Sequence, residues 1–178
     1  MCNHLYPFLW NAPAQPAARW HALGDGPVQY LADSPEGAWA EVLRHAEAVT
    51  ADEVLEQQRS VWAITMPSDL DLGVPDLALD VLIGGEDTYP ACQAEARRLR
   101  DAGHDGLIAP SAALLPGGCH PYLSGDTITP DEARRSDGQV IVLFGNHLEL
   151  PGWRCAQLGS AHPDLLGRIR WLPGTPLN

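Results

Sequence analysis

At 178 residues and 19.2 kDa the chain can bury a hydrophobic core without disulfide or metal staples, and its 45% hydrophobic and 19% charged residues exclude a disordered class. The 23 acidic against 11 basic residues, a net charge of -12, exclude the clustered cations that phosphate-backbone binding requires. All 11 basic residues are arginine; without lysine, a Walker A phosphate loop and Schiff-base chemistry are excluded as well.

Pro7, Pro13 and Pro16 interrupt any helix near the start, so residues 1–26 are predicted irregular. Pro27–Ala32 alternates and is β-prone, which predicts a short strand. Asp33-Ser34-Pro35-Glu36 then reads as a helix start: Ser34 can cap, Pro35 suits the first helical position, and Glu36 complements the dipole. This helix is predicted over Pro35–Ala48, with Ala38, Trp39, Val42, Leu43 and Ala46 as its buried stripe. Ser60–Met66 predicts a second strand and residues 67–87 a long loop. A second helix is predicted over Tyr89–Ala102, stopped by Gly103, and its Arg97, Arg98 and Arg100 read as a solvated face. Asp105-Gly106 leads into a short strand, Leu107–Ala109. Residues 115–138 are rich in glycine and proline and predict a flap or variable loop. Gln139–Phe144 is the most apolar strand, predicted central, and Asp164–Leu172 fits either element type. This order of elements predicts a mixed α/β or α+β fold.

The longest apolar runs, such as Val140–Phe144, are too short to cross a bilayer, and no basic segment precedes an apolar one at the N-terminus. A cytoplasmic protein with no membrane partner is expected. Cys2, Cys92, Cys119 and Cys155 show no C-x-x-C spacing, and no histidine lies at zinc-site spacing, so no metal is expected.

Four residues could carry chemistry. Glu41 lies on the flank of the first helix, where a carboxylate can line a groove; the pattern equally describes a solvated helix glutamate. Tyr30 stands in the first strand, where it can also simply pack in a sheet. Ser111 follows the Leu107–Ala109 strand through Pro110, but no G-x-S-x-G elbow surrounds it, which argues against a hydrolase nucleophile. Arg19-Trp20-His21 joins a cation to an aromatic plane in an irregular segment, which suits stacking or anion binding.

Together these residues resemble a known family. The stretch from Arg19-Trp20-His21 through Tyr30, Ser34-Pro35 and Ala38 to Glu41 is similar to the first motif of RES-domain proteins, roughly GRW-x-x-x-G-x-P-x-x-Y-x-A-x-S-P-x-x-A-x-x-E. Gly103-His104-Asp105-Gly106 with Pro110-Ser111-Ala112 resembles the second, G-Y-D-G-x-x-x-P-S-A, and Gln139–Phe144 the closing N-x-V-x-F strand. The resemblance covers roughly residues 17–148 of one domain spanning 1–178, with 149–178 as a C-terminal extension.

The resemblance implies an ADP-ribosyltransferase-like twisted β core with flanking helices and an NAD+ cleft. It implies a toxin of the Xre–RES type that consumes NAD+ as substrate by hydrolysis or phosphorolysis, with no prosthetic group. The alternatives are an ADP-ribosyltransferase acting on a protein, or a catalytically silent binding module. The expected partner is a cognate Xre-like antitoxin; surface near Trp153 and Trp171 could serve it or a homodimer. Glu41 maps to the family's glutamate, Tyr30 to its strand tyrosine and Ser111 to its serine; all three would contact NAD+, while Arg19 would hold the pyrophosphate. His4 stands where the family usually has an earlier arginine, so either Arg19 serves alone, or His4 substitutes, or the start site is misplaced.

Overall fold

Strand β1 (Val28–Ala32) opens the regular structure in the computed structural model, which describes residues 15–120 and 135–176. His4, Cys2 and residues 121–134 of the predicted 115–138 loop lie outside the described residues. After β1 come helices α1 (Pro35–Ala46) and α2 (Ala51–Glu56), strands β2 (Arg59–Ile64) and β3 (Leu72–Gly73), and helix α3 (Leu79–Ile83). A 3-10 turn (Glu86–Thr88) leads into α4 (Tyr89–Asp101), followed by β4 (Gly106–Pro110), β5 (Gln139–Phe144), β6 (Gly152–Gly159) and a 3-10 turn over Pro163–Arg168. The mixed helix-and-strand class expected from the sequence is what the chain adopts. No described helix is long and apolar enough to cross a membrane.

Among the described residues the chain forms two compact units, each built from discontinuous segments. One gathers the chain up to Leu31 with Gln58–Ala109 and Ile141–Gly159; the other gathers Ala32–Gln57, Pro110–Val140 and the chain from Ser160 onward.

The first unit carries the sheet, in the order β1-β5-β4-β3, with β3 parallel to β4. β5 is interior, as its apolar run predicts, and Ile141, Val142 and Leu143 are buried. Gly106 lets β4 run close to β5, since a Cβ there would sit 2.3 Å from the Val142 carbonyl oxygen. In α4 the buried residues Cys92, Glu95, Ala96 and Leu99 fall at helical spacing. Its arginines are more than a solvated face. Arg97 pairs with Asp25 at 3.2 Å and Arg98 with Glu95 at 2.6 Å, while Arg100 lies 4.5 Å over the Phe144 ring.

The predicted 67–87 loop contains β3, α3 and the Glu86–Thr88 turn. A two-residue strand and a five-residue helix with Leu82 as its single buried residue are too short to register as periodicity. β6, given no element from the sequence, pairs antiparallel with β2 as a separate two-stranded ribbon. It is exposed at every position from Trp153 to Leu158, so no alternation marks it.

The second unit is built on α1. Ser34 accepts the Gly37 amide at 3.1 Å and Pro35 opens the helix, as predicted. The buried stripe, however, is Gly37, Ala40, Leu43 and Arg44, whereas Ala38 and Ala46 are exposed. The helix is rotated from the expected face because its small residues Gly37 and Ala40 are buried and Arg44 is buried where it binds the Ala112 carbonyl. A Cβ on Gly37 would lie 3.2 Å from Ser34 Oγ and 3.3 Å from Ala32 Cβ. Helix α2 starts on a reciprocal cap: Thr50 Oγ1 accepts the Glu53 amide at 3.3 Å, and Glu53 accepts the Thr50 amide at 2.9 Å. Leu43, Val54, Leu114, Leu165 and Ile169 form its core, with Trp171 packed against them. Trp153, by contrast, is exposed in the first unit.

Candidate active site

Arg19 and Tyr30 belong to the first unit, Glu41 and Ser111 to the second. Each pair is set by its own local structure.

In the first unit the Tyr30 hydroxyl accepts the Trp20 backbone amide at 3.0 Å and lies 3.1 Å from His21 Nδ1. His21 Nε2 is 2.7 Å from the Pro16 carbonyl oxygen, which can only accept. The imidazole proton therefore sits on Nε2, and the Tyr30 hydroxyl donates to Nδ1. Burial pushes the His21 pKa below the ordinary histidine value, consistent with this neutral tautomer. Tyr30 as a residue remains 39% exposed although its hydroxyl is fixed.

Arg19 is 7% exposed. Its guanidinium donates to the Gly84 carbonyl at 2.6 Å, the Val81 carbonyl at 3.3 Å and Thr88 Oγ1 at 3.1 Å, and lies 4.8 Å over the Tyr89 ring. The cation thus holds the corner between α3 and α4.

In the second unit Glu41 projects from the flank of α1. Its carboxylate meets His45, one turn on, at 3.5 Å, with 36% of the glutamate side chain exposed. A groove lined by Glu36, Trp39, Leu165 and Arg168 runs along this helix too. Trp39 and Glu41 are two residues apart, about 200° around a helix, so this groove lies on the flank away from Glu41.

Ser111 is 5% exposed. Its Oγ accepts the amides of Ala113 and Leu114, both at 3.3 Å, and its own amide donates to the Gly138 carbonyl at 3.0 Å. The two acceptor positions are used, which leaves the hydroxyl proton to donate. Arg44 reaches from α1 to the Ala112 carbonyl, and Arg170 donates to the carbonyls of Ser111 and Ala112 at 3.2 and 3.1 Å. The helix carrying Glu41 and the turn carrying Ser111 are therefore tied within one unit by arginine.

Sequence reasoning did not single out Arg44 or Arg170. An arginine in the last turn of a helix reads as a dipole partner, and nothing local marks Arg170. By sequence the Arg19-Trp20-His21 segment suits stacking or anion binding; the pairing of His21 with Tyr30 needed the fold. Among the described residues no three His, Cys, Asp or Glu side chains gather as a metal site.

No solved structure matches this chain. A protein of Mycobacterium tuberculosis named a probable NAD(+) phosphorylase is 36% identical over 114 residues, covering 59% of this chain and 52% of that protein. The chain thus spans about half the length of the curated relative it matches. The family model of the RES domain matches residues 4–124, a stretch that contains Arg19, Tyr30, Glu41 and Ser111. With most of its length inside that match, the chain belongs to the RES-domain family.

Proposed function

We propose that this chain consumes NAD+ by cleaving the nicotinamide–ribose bond, with phosphate or water as the attacking group. The observation that carries this reading is the state of Glu41. Of the four candidate side chains, Arg19, Tyr30 and Ser111 each hydrogen-bond backbone groups, whereas the Glu41 carboxylate meets only the side chain of exposed His45, at 3.5 Å, among its described contacts. Such a carboxylate is available for chemistry. The name of the mycobacterial relative favours phosphate as acceptor.

As the bond from C1′ to the nicotinamide nitrogen breaks, its electron pair neutralises the pyridinium and positive charge develops on the ribose. A nearby carboxylate stabilises that oxocarbenium-like state and orients the ribose hydroxyls or the acceptor. The acceptor oxygen then bonds to C1′ and gives up a proton. Nicotinamide leaves neutral, so no strong general acid is required. Tyr30, 39% exposed, suits stacking on nicotinamide, and the Ser111 hydroxyl proton suits a substrate oxygen or Glu41. Arg19 serves here as a positioning residue, because a pyrophosphate contact would first require its bonds to Gly84, Val81 and Thr88 to break.

An ADP-ribosyltransferase-like core, a toxin role and restraint by a cognate Xre-like antitoxin belong to the same reading and rest on the family resemblance. The test is NAD+ depletion by purified protein with and without phosphate, with products identified by mass. ADP-ribose marks hydrolysis and its phosphate ester phosphorolysis. Replacing Glu41 with Gln should lower turnover by about 10²-fold or more at unchanged melting temperature, the usual scale for losing one such electrostatic group. Turnover in neither buffer by folded wild-type protein overturns the reading in favour of protein-directed transfer or a silent module.

A further inference from the structure

The segment that steadies Ser111 lies outside the matched stretch 4–124. Ile169, 3% exposed, forms an isolated antiparallel bridge with Leu114, 1% exposed. On either side of it the Arg170 amide donates to the Ala113 carbonyl at 2.7 Å, and the Leu115 amide donates to the Arg168 carbonyl at 2.8 Å. The flanking side chains add to this pairing. Arg168 donates to the Gly118 carbonyl at 2.9 Å, and Arg170 turns back to the Ser111 and Ala112 carbonyls at 3.2 and 3.1 Å. From α1, Arg44, 2% exposed, donates to the same Ala112 carbonyl. Hydrogen bonds from a guanidinium to a carbonyl are charge-assisted and directional, so this peptide is held by cations from two segments of the chain.

We propose that Arg168–Arg170 is a strap for the active-site serine, with Arg170 a positioning residue of NAD+ cleavage. The inference rests on the NAD+ reading above. Ser111 offers one hydroxyl proton, whose direction is set once its oxygen accepts Ala113 and Leu114; the strap fixes the turn in which those two amides point at the oxygen. Releasing the Ser111 and Ala112 carbonyls lets the turn relax and misdirects that proton. Misplacement on the ångström scale costs rate far more than ground-state affinity.

The experiment compares Arg170→Met and Arg170→Lys with wild type for NAD+ turnover, thermal melting and amide hydrogen exchange. Arg170→Met should lower kcat about tenfold or more and keep KM within about twofold, while the melting midpoint drops by only a few degrees because Arg44 still holds the Ala112 carbonyl. Arg170→Lys, which can still donate to a carbonyl, should recover most of that loss. Unchanged kcat in the methionine variant, or a kcat loss that vanishes once activity is scaled to the folded fraction, overturns the proposal. If wild type consumes no NAD+, the NAD+ reading itself fails and exchange decides the strap alone. Faster exchange confined to Ala113, Leu114 and Leu115 in Arg170→Met upholds it; unchanged protection there overturns it.

Discussion

Removing the hydroxyl of Tyr30 tests the His21 relay directly. In Tyr30→Phe the Trp20 amide loses its acceptor at 3.0 Å, and His21 Nδ1 loses its donor at 3.1 Å. Trp20 and His21 are each 1% exposed, so protein covers most of the two orphaned groups. A net hydrogen bond contributes about 1 kcal/mol, and an orphaned buried group costs about 1–3 kcal/mol. Because Tyr30 is 39% exposed, water from its side can recover part of this, which places the expected loss near 2 kcal/mol. At about 2–4 °C per kcal/mol for a chain of this size, the melting midpoint should drop by roughly 4–8 °C. Urea unfolding of Tyr30→Phe, His21→Leu and the double variant separates the shared term, which should couple the two sites by about 1 kcal/mol. A Tyr30→Phe loss under about 0.5 kcal/mol, or additivity of the two substitutions, would refute the assigned tautomer and the relay.

Arg19→Met should destabilise the fold by about 2–4 kcal/mol in urea, since it removes the charge-assisted bonds to the Gly84 and Val81 carbonyls and to Thr88 together with the contact with Tyr89; a loss below about 1 kcal/mol would show that the cation does not anchor the α3–α4 corner. Stability should also fall on acidification from pH 7 to 5. His21 and His120 both titrate below their unfolded value of 6.5, in each case chiefly through burial, and Arg168 lowers His120 further. In that window the unfolded chain binds more protons than the folded one, so the urea midpoint drops as pH falls through 6.5 toward the folded values. His120→Asn should flatten part of that slope, and a midpoint that rises on acidification would contradict the sign.

The sequence made the major elements legible wherever a side-chain pattern carried the physics. Ser34-Pro35 marked the start of α1, the apolar run of Gln139–Phe144 marked the interior strand, and Gly103 marked the end of α4. The face of α1 was not legible, because hydrophobicity assigns Arg44 to solvent, whereas its burial depends on a carbonyl contributed 68 residues later. The Thr50/Glu53 pair signals a capped helix start, yet six residues are too few for periodicity to support it. The candidate site divides the same way. Residue identities at 19, 30, 41 and 111 carried the family resemblance; which of these groups spend their polar atoms on holding backbone is a property of tertiary contacts. Arg19 shows the difference: a cation beside an aromatic residue in the sequence, and a carbonyl clamp in the fold.

The position of β5 between β1 and β4 bears on how the chain can be subdivided. The family-matched stretch ends at residue 124, and β5 begins at Gln139. A fragment cut at that limit would hold β1 and β4 with nothing between them, two unsatisfied edges where the intact chain has continuous hydrogen-bonded ladders. It would also discard Ile141, Val142 and Leu143, the side chains those edges flank. The stretch that defines the family by sequence is thus smaller than the piece that can fold, and any minimal version of this protein has to extend past Phe144.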